Sequence, residues 1–264
     1  MKGVSLVGCG AIGGVIARAI DSGLVEAELR YVMDVDPSKA EKLVQGLTRQ
    51  RPRIALSVDE IAADPLTQVV VEAASQDAVL QHGQRLLEAG KELVVLSVGA
   101  LLRPEAKQLL ERYSGRVHVP SGAIAGLDAV RAMALAGIEE VVLLTRKHPE
   151  KLADEPYVRE SGLKLRQLDQ PMVVFEGSAE EAVVYFPRTL NVAATLSLYA
   201  GTPARVRVVA DPNVDRNVHE VLVKSKAGTL YVRVENVPHP QNPKTSFLAA
   251  LSAVELLREI CSKL

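Results

Sequence analysis

The chain has no tryptophan, and aromatic residues of every kind make up only 3% of its 264 positions. Platforms that stack nucleobases need such rings, so a single-strand nucleic-acid binder is excluded as a reading. An excess of one charge is missing too: 31 Lys and Arg stand against 32 Asp and Glu, for a net charge of −1. No field draws such a chain to a phosphate backbone or an anionic membrane surface. Cysteine is limited to Cys9 and Cys261. Two residues so far apart make neither a disulfide framework nor paired zinc ligands, which fits reducing, cytoplasmic surroundings. The apolar runs fall far short of the roughly 20 residues that span a bilayer. Met1 and Lys2 lead straight into a short apolar strand, not a secretory leader. H-E-x-x-H, paired-Cys and full calcium-loop patterns are absent, so no metal is expected.

What is present is an ordinary globular composition, 48% hydrophobic and 24% charged. The length suits one large domain or two modest ones. Up to residue 120, continuous apolar strands such as "TQVVVEAAS" and "KELVVLSVGAL" alternate with helical stretches. That order predicts a parallel sheet with helices on both faces, its strands buried on both sides. Beyond residue 120 the strands alternate and look half-exposed ("EEVVLLTRK", "RVRVVADP", "VHEVLVKS", "TLYVRVEN"). The expectation is therefore an α/β protein. A dinucleotide-binding domain of the Rossmann type spans 1–120, and a second α+β domain with a mixed or antiparallel sheet spans 121–244. The closing amphipathic helix, 245–264, packs back on the first. The half-apolar second sheet leads to the expectation of a homodimer that covers it.

The first strand ends in "LVGCGAIGG", which sets Gly8, Gly10 and Gly13 at G-x-G-x-x-G spacing. In a doubly wound sheet Gly8 permits the tight turn, Gly10 lets backbone approach a pyrophosphate, and Gly13 lets helix pack on strand. Ala11 and Ile12 share the helix start, whose free N–H groups face phosphates. Asp34 closes the second strand 21 positions after Gly13, where a carboxylate accepts hydrogen bonds from both ribose hydroxyls and repels a 2′-phosphate. NAD is the expected cofactor, with NADP the alternative. Cys9, inside the turn, reads as a small filler.

Further on come "VPSGAIAGLDA", "FPRTLNVAATLSLYAG", "DPNVDRNVHEV" and "NPKTSFLAALSAVELL". With "GCGAIG" these segments, in this order, resemble the L-aspartate dehydrogenases of the NAD-biosynthesis type over nearly the whole length. The resemblance implies NAD(P)-dependent oxidative deamination of L-aspartate to iminoaspartate, then oxaloacetate and ammonia. It also implies a hand-off of the imine to quinolinate synthesis, His219 as the catalytic residue, and Ala123 and Asn191 as further cofactor contacts. On its own residues, His219 is one of five histidines and reads as a satisfied strand-end imidazole or as a proton shuttle. Asn191 reads as a carboxamide partner or a cap. Lys244, Thr245 and Ser246 read as a substrate-carboxylate site at a helix start or as ordinary capping. Two rivals stand beside this reading. One is another two-domain reductase of the aspartate family, of dihydrodipicolinate reductase or homoserine dehydrogenase type. The other is a non-catalytic NAD-binding sensor.

Overall fold

The computed structural model describes residues 1–262, apart from the side chains of Lys107 and Lys244. The chain divides into two compact units: Met1–Pro120 with the described part of Ala249–Leu264, and Ser121–Leu248.

In the first unit, strands and helices alternate: β1 (Lys2–Val7), α1 (Ala11–Asp21), β2 (Ala27–Met33), α2 (Pro37–Gln45), β3 (Arg53–Ile54) and α3 (Val58–Ala63). Then follow β4 (Thr67–Glu72), α4 (Gln76–Glu88), β5 (Glu92–Val95), α5 (Pro104–Tyr113) and β6 (Val117–His118). The strands form one parallel sheet in the order β3-β2-β1-β4-β5-β6. Its order reverses between β1 and β4, the place where doubly wound sheets bind ligands. Local chemistry starts the helices as the sequence suggests. Asp36 caps α2 by accepting from Ser38 N at 3.1 Å, with Pro37 in the first turn. Ser75 caps α4 by accepting from Ala78 N at 3.2 Å.

The second unit contains α6 (Leu127–Leu135), β7 (Ile138–Lys147), α7 (Pro149–Leu152), α8 (Pro156–Glu160), β8 (Met172–Ser178) and α9 (Ala179–Tyr185). It continues with α10 (Asn191–Ala200), β9 (Arg205–Ala210), β10 (Asn217–Ser225), β11 (Gly228–Asn236), β12 (Pro238–His239) and β13 (Asn242–Ser246). The main sheet runs β11-β10-β7-β9-β8. It is mixed, with β7 and β9 parallel and the other pairs antiparallel. Helices α6 and α10 pack on one face. Sequence periodicity does not announce α7, α8 or α9, because each is too short to display a 3.6-residue repeat. Prolines open α7 and α8, and a Ser178/Glu181 capping box opens α9.

The last helix, α11 (Phe247–Ser262), follows β13 directly. Its Ala253, Val254, Leu257 and Ile260 enter the core of the first unit with Leu6 and Ile16.

The second sheet's outer face is mixed: Val142, Leu144 and Leu222 lie half-buried on it beside a set of ion pairs. Glu140 pairs with Lys224, Glu220 with Arg146 and Arg233, and Glu176 with Arg205 and Arg207. Tyr231 Oη donates to Glu220 at 2.8 Å. Long charged side chains thus pair across neighbouring strands of this face. Arg205 and Arg207 are thereby committed to Glu176. Among the described residues, no helix is long and apolar enough to cross a membrane.

Candidate active site

The glycine turn is built as its spacing implies. Gly8 has φ +101°, and a Cβ there would lie 2.5 Å from the Ala73 backbone. Gly13 packs so closely that a Cβ would lie 2.0 Å from Gly8 O. At Gly10 a Cβ would meet nothing within 4 Å, and the residue is exposed. Two glycines thus make the turn, and the third keeps an open cradle at the N-terminus of α1. The first N–H groups there, including those of Ala11, Ile12 and Gly13, have no acceptor inside the helix. Open space bordered by free amides fits a pyrophosphate.

Asp34 follows β2 and is half-buried beside the turn. Its Oδ2 accepts from Cys9 N at 2.8 Å and its Oδ1 from Asp36 N at 3.0 Å. These bonds fix the carboxylate while leaving lone pairs for ribose hydroxyls. Burial, followed by the Asp34 charge, pushes the Cys9 thiol up to about 12, so it is no nucleophile at neutral pH. Asp34→Ala should raise KM for NAD roughly 10- to 100-fold, the effect of losing charge-assisted hydrogen bonds. It should raise KM for NADP much less. The NAD/NADP ratio is the readout, because a merely structural role in holding Cys9 would move both alike.

Sequence reasoning missed Glu72 at the end of β4. Its buried carboxyl group accepts from Ala74 N (2.7 Å), Ser97 N (3.0 Å) and Ser97 Oγ (2.8 Å). Burial pushes it above the usual carboxylate range, and these hydrogen bonds partly offset that. It pins the small-residue segments after β4 and β5, one of which carries the Ala73 backbone against Gly8.

In the second unit, alternation along the strands puts Val141, Leu143, Thr145 and Lys147 of β7 on the helix-covered face. Asn217, His219, Val221 and Val223 of β10 share that face. The face is apolar at one end and polar at the other. His219 stands opposite Thr145 across β10 and β7, and its Nδ1 shares a 3.0 Å hydrogen bond with Thr145 Oγ1. Among the described residues, Nε2 has no hydrogen-bond partner. His219 is 2% exposed. Burial, then the Lys147 charge, push its imidazole down to about 3, so it is neutral across the physiological range.

One step further along lie Lys147 and Asn217, the latter opposite Asn236. Lys147 is 3% exposed. Its Nζ makes one long hydrogen bond, to Thr189 O at 3.4 Å, and no ion pair among the described residues. Burial pushes its ammonium down to about 8, Glu155 opposing and Lys151 adding to the shift. Asn217 is fully buried: its Nδ2 donates to Ser246 Oγ at 3.2 Å and its Oδ1 accepts from Lys151 Nζ at 3.3 Å. Asn236 Nδ2 donates to Ala123 O at 3.0 Å. Asn236 Oδ1 and Thr189 Oγ1 are buried without partners.

The expected residues therefore fall into two groups. Gly8, Gly10, Ala11, Ile12, Gly13 and Asp34 belong to the first unit. His219, Ala123, Asn191 and Ser246 belong to the second. Ala123 is tied to Asn236, and Asn191 is the first residue of α10. Thr245 and Ser246 lie in β13, Ser246 directly before the first residue of α11. Ser246 is drawn inward by Asn217, and Thr245 Oγ1 accepts from Asn242 Nδ2 at 3.3 Å. The side chain of Lys244 lies outside the described residues. His239 is buried on β12 against Phe247.

A dinucleotide cradle in one unit and a buried, neutral imidazole in an α+β partner unit is the build of the two-domain nicotinamide-dependent dehydrogenases. By fold and by its parts, this chain is one of them. Residues 128–260 match the family model described as aspartate dehydrogenase, C-terminal, and residues 8–118 match that described as homoserine dehydrogenase, NAD binding domain. L-Aspartate dehydrogenase of Methanosarcina mazei is 43% identical over 267 residues, covering 98% of this chain and 97% of the relative. That of Methanosarcina barkeri is 44% identical over 269 residues, covering 99% and 98%. The crystal structure of aspartate dehydrogenase from Thermotoga maritima matches with a TM-score of 0.76 at 28% identity, covering 100% of this chain and 98% of that one. The chain belongs to the L-aspartate dehydrogenase family.

Proposed function

We infer that the chain oxidises L-aspartate to iminoaspartate, which water converts to oxaloacetate and ammonia, with His219 as the proton-handling group. One observation carries the role of His219: a fully buried imidazole, held neutral, with Nδ1 engaged by Thr145 and Nε2 unpartnered among the described residues. When bound, NAD supplies the acceptor for the Cα hydride. Gly10 and the amides of Ala11, Ile12 and Gly13 would hold its pyrophosphate and Asp34 its adenosine ribose; family membership supports Ala123 and Asn191 as further cofactor contacts.

The substrate nitrogen arrives as an ammonium and must lose protons before a C=N bond can form. A neutral Nε2 can take one, and the Thr145 hydrogen bond keeps the ring turned for it. A dicarboxylate beside the ring favours its charged form, so substrate itself strengthens the base. Burial excludes bulk water from this exchange.

Family membership supports three further readings: that the chain works as a homodimer, that it resides in the cytoplasm, and that its imine feeds quinolinate synthesis and hence NAD. The test of the activity is a substrate panel read by NADH absorbance. L-Aspartate with NAD should give NADH, and oxaloacetate with ammonia should consume it, while homoserine should be inert. NADH formation from homoserine but not from L-aspartate would overturn the assignment.

A further inference from the structure

We propose that Lys147, with Thr189, forms the buried anion pocket that receives a carboxylate of the substrate beside His219. This rests on the reading of His219 given above. An ammonium with three donors is costly to bury unless it is paired and fully hydrogen-bonded. Lys147 has one 3.4 Å bond to a main-chain carbonyl, no ion pair among the described residues, and 3% exposure. Thr189 supplies that carbonyl, and its own hydroxyl is buried with no partner. A carboxylate entering here would satisfy both at once, accepting from Nζ and from Oγ1.

The position suits a four-carbon dicarboxylate. Lys147 lies two residues along β7 from Thr145, which faces His219. Diagonal neighbours on one sheet face stand about 7–8 Å apart at Cα, within reach of a long side chain. A carboxylate on Nζ and an amino group at the imidazole thus fall within the span of one small amino acid. The anion also removes the cationic repulsion of His219, so filling the pocket prepares the base. Of the neighbouring polar groups, Asn217 is engaged with Ser246 and Lys151 and Asn236 Nδ2 with Ala123 O, while Asn236 Oδ1 is buried without a partner among the described residues and the buried Glu155 acts on Lys147 through its charge.

The experiment compares wild type, Lys147→Met, Lys147→Arg and His219→Ala, each with L-aspartate kinetics and with succinate as a non-reacting dicarboxylate probe in thermal melts. In Lys147→Met, KM for L-aspartate should rise roughly 10- to 100-fold, with kcat reduced less and KM for NAD unchanged. Succinate should stabilise wild type, His219→Ala and Lys147→Arg, but not Lys147→Met. An unchanged KM, or succinate stabilisation that persists in Lys147→Met, would overturn the proposal. So would a drop in melting temperature for Lys147→Met together with no succinate effect on wild type, the signature of a structural lysine. If Lys147→Met does not fold, the wild-type and Lys147→Arg melts decide, and no succinate effect in either overturns it. Failure of the base assignment looks different: His219→Ala would then keep its turnover whatever Lys147 does.

Discussion

His219→Ala is expected to lower kcat for L-aspartate oxidation by about 10²- to 10⁴-fold, the usual worth of a positioned acid–base group, with NAD affinity unchanged. The asymmetry follows from placement. The imidazole belongs to the second unit, whereas the glycine cradle and Asp34 belong to the first. His219→Asn, which keeps a hydrogen-bonding atom for Thr145 but no titratable one, should be nearly as inactive. Stability offers a second readout. The folded protein keeps this imidazole neutral down to about 3, while an unfolded chain protonates it near 6.5. Between those values the unfolded state binds more protons, so wild-type stability falls as pH drops through the window. At about 1.4 kcal/mol per pH unit, the ceiling is roughly 5 kcal/mol. Lys147 does not titrate in that range, and its own window, from about 8 to 10.5, has stability rising with pH. Denaturant midpoints between pH 6.5 and 4 should therefore slope less in His219→Asn than in wild type. Equal slopes, or an alanine variant with wild-type kcat, would remove His219 from the mechanism.

The glycine turn gives the second large effect, as a contrast between neighbours. Gly13→Ala should destabilise the protein by about 3 kcal/mol or more, because its methyl lands 2.0 Å from Gly8 O, a backbone atom that cannot swing aside. Gly10→Val should melt within about 0.5 kcal/mol of wild type. Its backbone has an ordinary φ of −75°, and a Cβ there meets nothing within 4 Å. The valine nevertheless occupies the space above the helix amides, and NADH binding should weaken on the order of 100-fold. Circular dichroism melts and NADH fluorescence titrations separate the two. If Gly10→Val binds NADH as tightly as wild type, the pyrophosphate lies elsewhere.

Much of the first unit was legible because its signals are local. Gly8, Gly10, Gly13 and Asp34 are identified by spacing alone, since turn geometry fixes what each position tolerates. The second unit was legible as a fold and less so as a site. Lys147 ends the strand "EEVVLLTRK", where a lysine ordinarily reaches water. The clue available was parity: Val141, Leu143, Thr145 and Lys147 alternate onto one face, the same face that β10 gives to His219. Alternation cannot say that the polar end of that face is covered. The segments that bury it, around Glu155, Thr189 and Ser246, are distant in sequence and hold short helices and strands with no period of their own.

By itself, then, the order of residues determined a parallel dinucleotide-binding sheet, its glycine turn, the acid that follows its second strand and an α+β partner. These depend on backbone sterics and strand periodicity, which act over a few residues. Only the tertiary structure decided that a strand-end lysine lies buried with a single weak hydrogen bond. It also decided that the imidazole beside Thr145 stays neutral, and that ion pairs run among Val142, Leu144 and Leu222 on the outer face of the second sheet. Burial and charge pairing are sums over groups far apart in the chain, and they take values only once the fold has brought those groups together.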